Sequence, residues 1–301
     1  MTGPADQPDR RTAEAAIGSP TPPVSVLILT LDEEINIGPC LASCAWCDDV
    51  HVLDCGSTDG TRRIAEELGA QVHNHPFESF GKQRNWAIDN IPMTHEWVFH
   101  LDADERFTQP LVNAVAQLLA REPVEAGFHL PSKLIFMGRW LKRAGGYPTY
   151  QMRLFHKQRM RFCDHGHGQR EETAGRVGTL DEPYLHYNFS KGLHHWFERH
   201  NNYSTLEAEQ ALAESGEPVS IAALWGGDRI ARRRAIKRFS RRLPFRPTLR
   251  WAYTMFIQGA VLEGRPGRIY ARLLAMYEKM IAVKMIELEH ARSSAERSSN
   301  R

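Results

Sequence analysis

Three short apolar runs in this chain each break off at an acid. Val24-Ser25-Val26-Leu27-Ile28-Leu29-Thr30 leads into Leu31-Asp32-Glu33, Val50-His51-Val52-Leu53 stops at Asp54, and Trp97-Val98-Phe99-His100-Leu101 stops at Asp102-Ala103-Asp104-Glu105. Near-continuous apolar character with many β-branched residues marks strands covered on both faces, as in a parallel sheet. Aspartate is a poor strand former, and an unpaired buried carboxylate is costly. Each acid therefore marks the end of a strand and needs a partner to justify it.

The intervening segments read as helices. Asp32–Cys44 has helical spacing. Ser57-Thr58-Asp59-Gly60-Thr61 supplies capping side chains for a helix over Arg62–Leu68, which Gly69 stops. Ala70–His75 is a third strand, Asn85–Asn90 a short helix and Leu111–Arg121 another. Ala126–Leu130, Ser132–Phe136 and Met152–His156 read as shorter strands of a mixed sheet, and Ser190–Ala213 as a long helix. The alternation predicts an α/β fold with a doubly wound, mainly parallel sheet and right-handed crossovers. Ligands of such sheets bind beyond the carboxyl ends of the strands, where all three acidic ends fall.

Composition narrows the class. With 301 residues and 42% hydrophobic content the chain can bury a large core. Its 38 Lys/Arg and 36 Asp/Glu leave a net charge of +2, but ten of the basic residues lie from Arg229 to Arg250, against one acid, Asp228, just before them. Five cysteines and no signal peptide suggest a reduced, cytoplasmic setting. Cys40, Cys44 and Cys47 have no fourth ligand at zinc-site spacing and read as buried thiols. No apolar run of about 18 residues appears, so no simple helix is expected to span a bilayer. Residues 1–22 and 291–301 have the composition of disordered ends.

The acids suggest a diphosphate carried by a hard cation. Mg²⁺ and Mn²⁺ take oxygen ligands, usually one or two carboxylates with phosphate oxygens and water. On that reading Asp104 holds the metal and Asp102 meets ribose, water or metal. Asp54, Asp32, Glu33 and Thr30 lie toward the nucleoside, and Lys82 and Arg84 (GKQRN) are candidates for the diphosphate. The chain has no G-x-G-x-x-G after the first strand, no G-x-x-x-x-G-K-[ST] and no G-x-S-x-G, which disfavours a dinucleotide oxidoreductase, a P-loop ATPase and an α/β hydrolase.

VSVLILTLDEEINI, VLDCGSTDGT, GKQRNWA and WVFHLDADE, in this order, resemble family 2 glycosyltransferases of the GT-A fold. YQMRLFHK, HGQREE and LHYNFSKGLHHWFERHNNYSTLEA extend the likeness to bacterial lipopolysaccharide-core β-glucosyltransferases and related exopolysaccharide transferases. The resemblance covers about residues 23–290. It implies inverting transfer from a nucleotide-diphospho-sugar, a Mn²⁺ or Mg²⁺ cofactor, a nucleoside contact at Asp54 and a metal motif at Asp102 and Asp104. It further implies a general base in Gln169-Arg170-Glu171-Glu172, with Glu171 the choice over Glu172, and a metal-completing His186. Arg153 joins Lys82 and Arg84 as a candidate against the leaving diphosphate. The chain departs from the family pattern at Asp32, commonly Asn, and at Cys55.

The expected division is a disordered segment 1–22, a catalytic domain 23–215, a basic amphipathic helical extension 216–290 and a tail 291–301. Within the extension, Trp251–Leu262 and Ile269–Leu288 read as helices separated by Gly264-Arg265-Pro266-Gly267. Basic residues interleaved with apolar ones fit an anionic membrane surface, without a nucleic-acid module. The reading is then a peripheral enzyme at the inner face of the cytoplasmic membrane, acting on a lipid-linked saccharide. A polyprenyl-phosphate glycosyltransferase and a non-catalytic nucleotide-sugar-binding scaffold are the alternatives.

Overall fold

A computed structural model describes residues 21–165, 168–213 and 245–299. The chain divides into two compact units, one of residues 1–133 with 148–190 and the other of 134–147 with 191–301.

The first unit is built on parallel strands β1 (Val24–Thr30), β2 (Val50–Asp54), β3 (Gln71–Asn74) and β4 (Trp97–Asp102). They lie in the order β3-β2-β1-β4, with β8 (Tyr150–His156) antiparallel to β4 and β6 (Gly127–Phe136) antiparallel to β8. Short strands β5 (Glu105–Arg106) and β12 (Tyr184–His186) pair antiparallel, and β11 (Val177–Thr179) joins β6. β9 (Arg161–His165) and β10 (Gly168–Glu172) form a separate hairpin. The expected mixed, mainly parallel sheet with flanking helices is therefore what the chain adopts.

β1 is mostly apolar because helices cover both its faces, and its buried Ser25 and Thr30 hydroxyls donate to Asp49 and Asp54. Val24, Val26 and Ile28 pack with α1 (Glu34–Ser43), α2 (Thr61–Glu67) and α4 (Gln109–Leu119), whereas Leu27 packs beneath α3 (Phe80–Asn90) with Ala87, Val98 and Phe155. Ser79 caps α3 and Thr108 caps α4, their hydroxyls accepting from Lys82 N and Leu111 N at 3.3 Å each. Cys40 and Cys44 are buried and Cys47 partly so, and burial pushes the Cys47 thiol up to about 12.

Several boundaries differ from expectation. α3 begins at Phe80 instead of Asn85, because the Ser79 cap starts it earlier. β6 is one ten-residue strand; Pro131 does not divide it. Its last residues, with β7 (Arg139–Trp140), belong to the second unit. So does α5 (Gly192–Ala213), which the sequence assigns to the catalytic part but which packs on α7 (Gly264–Ser299).

In that second unit α6 (Arg246–Ala252) runs into a π-helical turn, Tyr253–Ile257. Gly259, at φ +80°, ends that turn before a 3₁₀ turn over Ala260–Glu263. α7 does not wait for Ile269. It starts at Gly264 and passes Pro266, which the first turn of a helix tolerates. Gly267 is required there, since a Cβ would lie 2.4 Å from Ala260 O. α7 also continues to Ser299, past the expected disordered tail. Buried Glu263 accepts the Arg143 and Ala144 amides at 2.7 and 2.9 Å. Residues 214–244, which hold most of the basic segment, lie outside the described residues, as do 1–20.

Candidate functional site

Register places the acidic strand ends side by side. Thr30 of β1 pairs with Asp54 of β2, and Leu29 of β1 with Asp102 of β4. Two strand spacings separate Asp54 from Asp102, about 10 Å. The Thr30 hydroxyl donates to Asp54 Oδ2 at 3.1 Å.

Asp54 is fully buried. Its carboxylate accepts the amides of Gly56 and Ser57 at 3.0 and 2.9 Å, together with the Ser57 hydroxyl. Gly56, at φ +102°, makes this return of the chain onto Asp54 possible. The carboxylate thus folds the loop after β2. Asp32 ties that loop to the one after β1, its Oδ1 accepting Thr58 N at 2.7 Å and its own N donating to Ser57 Oγ at 2.8 Å. Asp32 has φ +52°, a conformation Asp and Asn tolerate better than most residues. The Glu33 amide donates to Thr61 Oγ1 at 2.7 Å, and its carboxylate accepts from Asn36 at 2.6 Å.

Beyond β4 the charges knit together through Arg153. β8 carries a bulge: Phe128 opposes Leu154 and His129 opposes Met152, leaving Arg153 as the extra residue. Its guanidinium, 3% exposed, donates through Nη2 to Asp102 Oδ2 at 2.9 Å, to Gln151 at 2.9 Å and to buried Glu105. Its Nε donates to Tyr184 Oη at 3.3 Å. His100 Nε2 lies 2.8 Å from the Met152 carbonyl and so carries the proton. His100 Nδ1 is then the acceptor for Arg153 Nη1 at 3.1 Å and Arg84 Nε at 3.3 Å. Burial and both guanidinium groups hold His100 neutral, well below the usual imidazole range.

Burial opposes the Asp102 charge, but Arg153 and Arg84 outweigh it and draw the carboxyl below its ordinary range. Glu105 goes the other way: burial, reinforced by Asp102, pushes it up to about 7 despite Arg153. Burial lowers Arg84 to about 10. It lies 3.9 Å from Asp102 and donates to Gln169 of β10. Lys82, by contrast, is exposed and ion-paired with Glu78 at 2.9 Å, so of the two predicted cations in GKQRN the structure brings Arg84 to the acids and leaves Lys82 on the surface of α3.

Asp104 and His186 meet at 3.4 Å and are mostly buried. Burial disfavours the imidazolium, but Asp104, with Glu105 and Asp102 behind it, raises the His186 pKa. The local potential therefore favours a cation, and one carboxylate oxygen with one imidazole nitrogen suits Mn²⁺ or Mg²⁺ whose remaining positions are filled by phosphate and water. Among the described residues no three-residue His/Cys/Asp/Glu cluster is poised to hold a metal by protein ligands alone. Asp102, placed in the same metal set from the sequence, is turned onto Arg153 instead.

Residues 25–173 match the family model for glycosyl transferase family 2. This chain carries a family 2 glycosyltransferase domain. It is 26% identical over 212 residues to the lipopolysaccharide core biosynthesis glycosyltransferase LpsC of Rhizobium meliloti, spanning 66% of this chain and 74% of that one. An uncharacterized glycosyltransferase of Rickettsia bellii is 25% identical over 67% of this chain and 71% of its own. Among solved structures, S. aureus TarS 1-349 aligns with a TM-score of 0.41 at 17% identity, covering 89% of this chain and 91% of that one. Glucosyl-3-phosphoglycerate synthase of Mycobacterium tuberculosis, in complex with Mn²⁺, UDP and phosphoglyceric acid, also gives 0.41 at 17% identity, covering 69% and 82%.

Within this glycosyltransferase domain, Glu171 stands on β10 with its carboxylate 2.8 Å from His129 Nε2. That hydrogen bond holds the Glu171 pKa down, against partial burial. Among the described residues neither a hydrogen bond nor an ion pair joins Glu171 to Asp102 or Asp104. The sequence reading assigned no role to Glu105, His100, His129, Gln169 or Tyr184. Glu105 and His100 were visible as polar residues flanking a buried strand end. His129, Gln169 and Tyr184 carry no local signal, because their roles depend on the β8 bulge and on the β9–β10 hairpin.

Proposed function

We propose that this chain is an inverting hexosyltransferase that moves a sugar from a nucleotide-diphospho-sugar to a hydroxyl of a lipid-linked saccharide. The acceptor would be a lipopolysaccharide-core or exopolysaccharide precursor at the inner face of the cytoplasmic membrane. The observation that carries this reading is the alignment of Thr30, Asp54 and Asp102 on neighbouring strands, with Asp104 in the turn beyond β4 and His186 of β12 against it. The name of LpsC supports the envelope-saccharide part.

In this reading the loops organised by Asp54, Asp32 and Glu33 receive the nucleoside, and Asp102, fixed by Arg153, meets the ribose. Asp104 and His186 would hold a divalent cation, which neutralises charge on the departing nucleoside diphosphate. Arg84 and Arg153 add fixed positive charge at the same edge. Glu171, kept ionised by His129, takes the acceptor proton as the hydroxyl oxygen attacks the anomeric carbon and the bond to the diphosphate breaks. Alignment of the two substrates supplies several kcal/mol of the barrier lowering.

The test is a screen of nucleotide sugars with Mn²⁺ or Mg²⁺, measuring nucleoside diphosphate release with core glycolipid, with polyprenyl phosphate and with neither. Release stimulated by core glycolipid and lost in Asp104→Ala and Glu171→Ala is expected. Stimulation by polyprenyl phosphate alone would move the acceptor to that class. Donor binding without turnover by the unaltered protein would sink the catalytic reading.

A further inference from the structure

The second unit presents an apolar face that its own packing leaves open. Phe245, Leu249, Tyr253 and Phe256 follow one another at spacings of four, four and three residues, a single stripe along α6 and the π-helical turn. Ile257 and Leu262 extend it, and exposure reaches 80% at Phe245, 76% at Ile257 and 64% at Leu262. Six large apolar side chains bared within eighteen residues exceed the scattered singles of an ordinary surface. The residues that do close this unit's interior lie between them: Thr254, Met255 and Ala260 are buried.

The charge around this face has one sign. Between Phe245 and Tyr277 stand five arginines, Arg246, Arg250, Arg265, Arg268 and Arg272, against one acid, Glu263. Glu263 is buried and occupied by backbone amides, and Arg246 is paired with Glu278 at 2.6 Å. Of the other arginines, Arg265, Arg268 and Arg272 in the first turns of α7 are exposed, and Arg250 within α6 is half-buried. An apolar recess of about 260 Å³ between α6 and α7, with Trp251, Met276 and Lys279 in its lining, adds hydrophobic surface to the same unit. Among the described residues no helix is long and apolar enough to cross a membrane.

We infer that the face formed by Phe245, Leu249, Tyr253, Phe256, Ile257 and Leu262, together with the exposed Arg265, Arg268 and Arg272 that follow it in the first turns of α7, seats on the headgroup–acyl boundary of an anionic phospholipid bilayer. It rests on the reading above that the acceptor is lipid-linked, and within the basic extension 216–290 it narrows the membrane contact to named residues of α6, the two turns after it and the start of α7. A protein partner of the same fit would need an apolar groove ringed by acids alone. A bilayer of anionic lipid offers apolar depth and a continuous sheet of phosphate together.

The experiment is sedimentation of the full chain with vesicles of phosphatidylcholine alone and of phosphatidylcholine with phosphatidylglycerol, over a series of salt concentrations. The expected result is binding to the anionic vesicles that weakens with salt. Arg265→Glu/Arg268→Glu should weaken it at least about twentyfold, from roughly fivefold per basic residue. Phe256→Ser/Ile257→Ser should weaken it at least about tenfold while the melting temperature stays unchanged, because exposed side chains that leave water only on a membrane contribute little to folding. Unaltered binding by either variant, or no binding by the parent chain, overturns the inference. So does a fall in melting temperature of the Phe256/Ile257 variant, or a dimer in light scattering that the same variant dissolves, since the face would then be covered by this chain or by a second copy. Donor turnover is measured separately: vesicle binding without any nucleoside diphosphate release would fail the enzymatic reading and leave the face intact.

Discussion

Arg153 Nη2 lies 2.9 Å from Asp102 Oδ2, and the same nitrogen serves Glu105, which is fully buried. One guanidinium thus makes two acids tolerable at the end of β4. Arg153→Met removes it and strands a buried carboxylate. Loss of one partner from a buried charged set costs about 3–5 kcal/mol. Urea unfolding should register a loss of that order, with Arg153→Lys intermediate because an ammonium cannot serve Asp102, Glu105, Gln151 and Tyr184 together. A variant as stable as the parent would remove Arg153 from its position as the organiser of this edge.

The same cluster makes stability depend on pH. Folded Glu105 holds its proton to about pH 7, against an ordinary value of 4.5. Its contribution to stability is therefore complete below pH 4.5 and is lost as the pH rises through 7. Asp102 runs opposite: its pKa is drawn below 3.8, so its contribution is present above that value and is lost as the pH falls. In metal-free buffer Glu105→Gln should gain on the parent by a few kcal/mol as pH rises from about 5 to about 8. Parallel stability curves for the two proteins over that window would refute the shift assigned to Glu105.

Much of the fold was legible because the parallel strands are covered on both faces. Val24–Thr30 can be read as buried without knowing what buries it. The strands β9 to β12 were not legible: they are short and largely polar, and among their described residues Phe162 and Tyr184 enter the core. The C-terminal helices were misdivided for a different reason. Gly264-Arg265-Pro266-Gly267 looks like a linker, yet Gly267 is there for close approach to Ala260 and Pro266 sits where a first turn accepts it.

Asp54 gives a prediction that separates loop-building from direct recognition. Asn at this position keeps the size but turns an NH₂ group toward at least one of the Gly56, Ser57 and Thr30 donors. Donor–donor conflict in a buried site costs about 1–3 kcal/mol. Asp54→Asn should therefore weaken nucleoside diphosphate binding, read by calorimetry, by roughly tenfold or more, and lower the melting temperature by several degrees. Weakened binding with an unchanged melting temperature would instead assign Asp54 to the nucleoside alone.

Strand ends announced the acids, and apolar runs announced the strands, so Asp54, Asp102 and Asp104 could be picked from the sequence. Which cations answer them could not. Lys82 and Arg84 lie two residues apart on one helix, and only the rotation of α3 decides that Arg84 faces His100 while Lys82 faces Glu78. Lys82→Met should accordingly leave the melting temperature little changed, as for other exposed ion pairs, and leave the KM for donor unchanged. A large rise in that KM would return Lys82 to the site.

The His129–Glu171 contact sets the last expectation. The hydrogen bond from His129 Nε2, 2.8 Å long, is the main reason that Glu171 ionises below the ordinary carboxyl range. If Glu171 is the base, activity rises with pH as its carboxyl loses a proton, and the acid limb of kcat/KM reports that pKa. His129→Ala removes the donor, so the carboxyl returns upward and the acid limb should move to higher pH, with kcat little changed on the plateau. Glu171→Gln should lower kcat by about 10²–10⁴-fold at every pH, the usual contribution of a positioned base. Glu172→Gln serves as the comparison on the same strand. A collapse of activity in Glu172→Gln with Glu171→Gln near normal would transfer the base to its neighbour, and an acid limb that stays fixed in His129→Ala would show that Glu171 does not govern the rate.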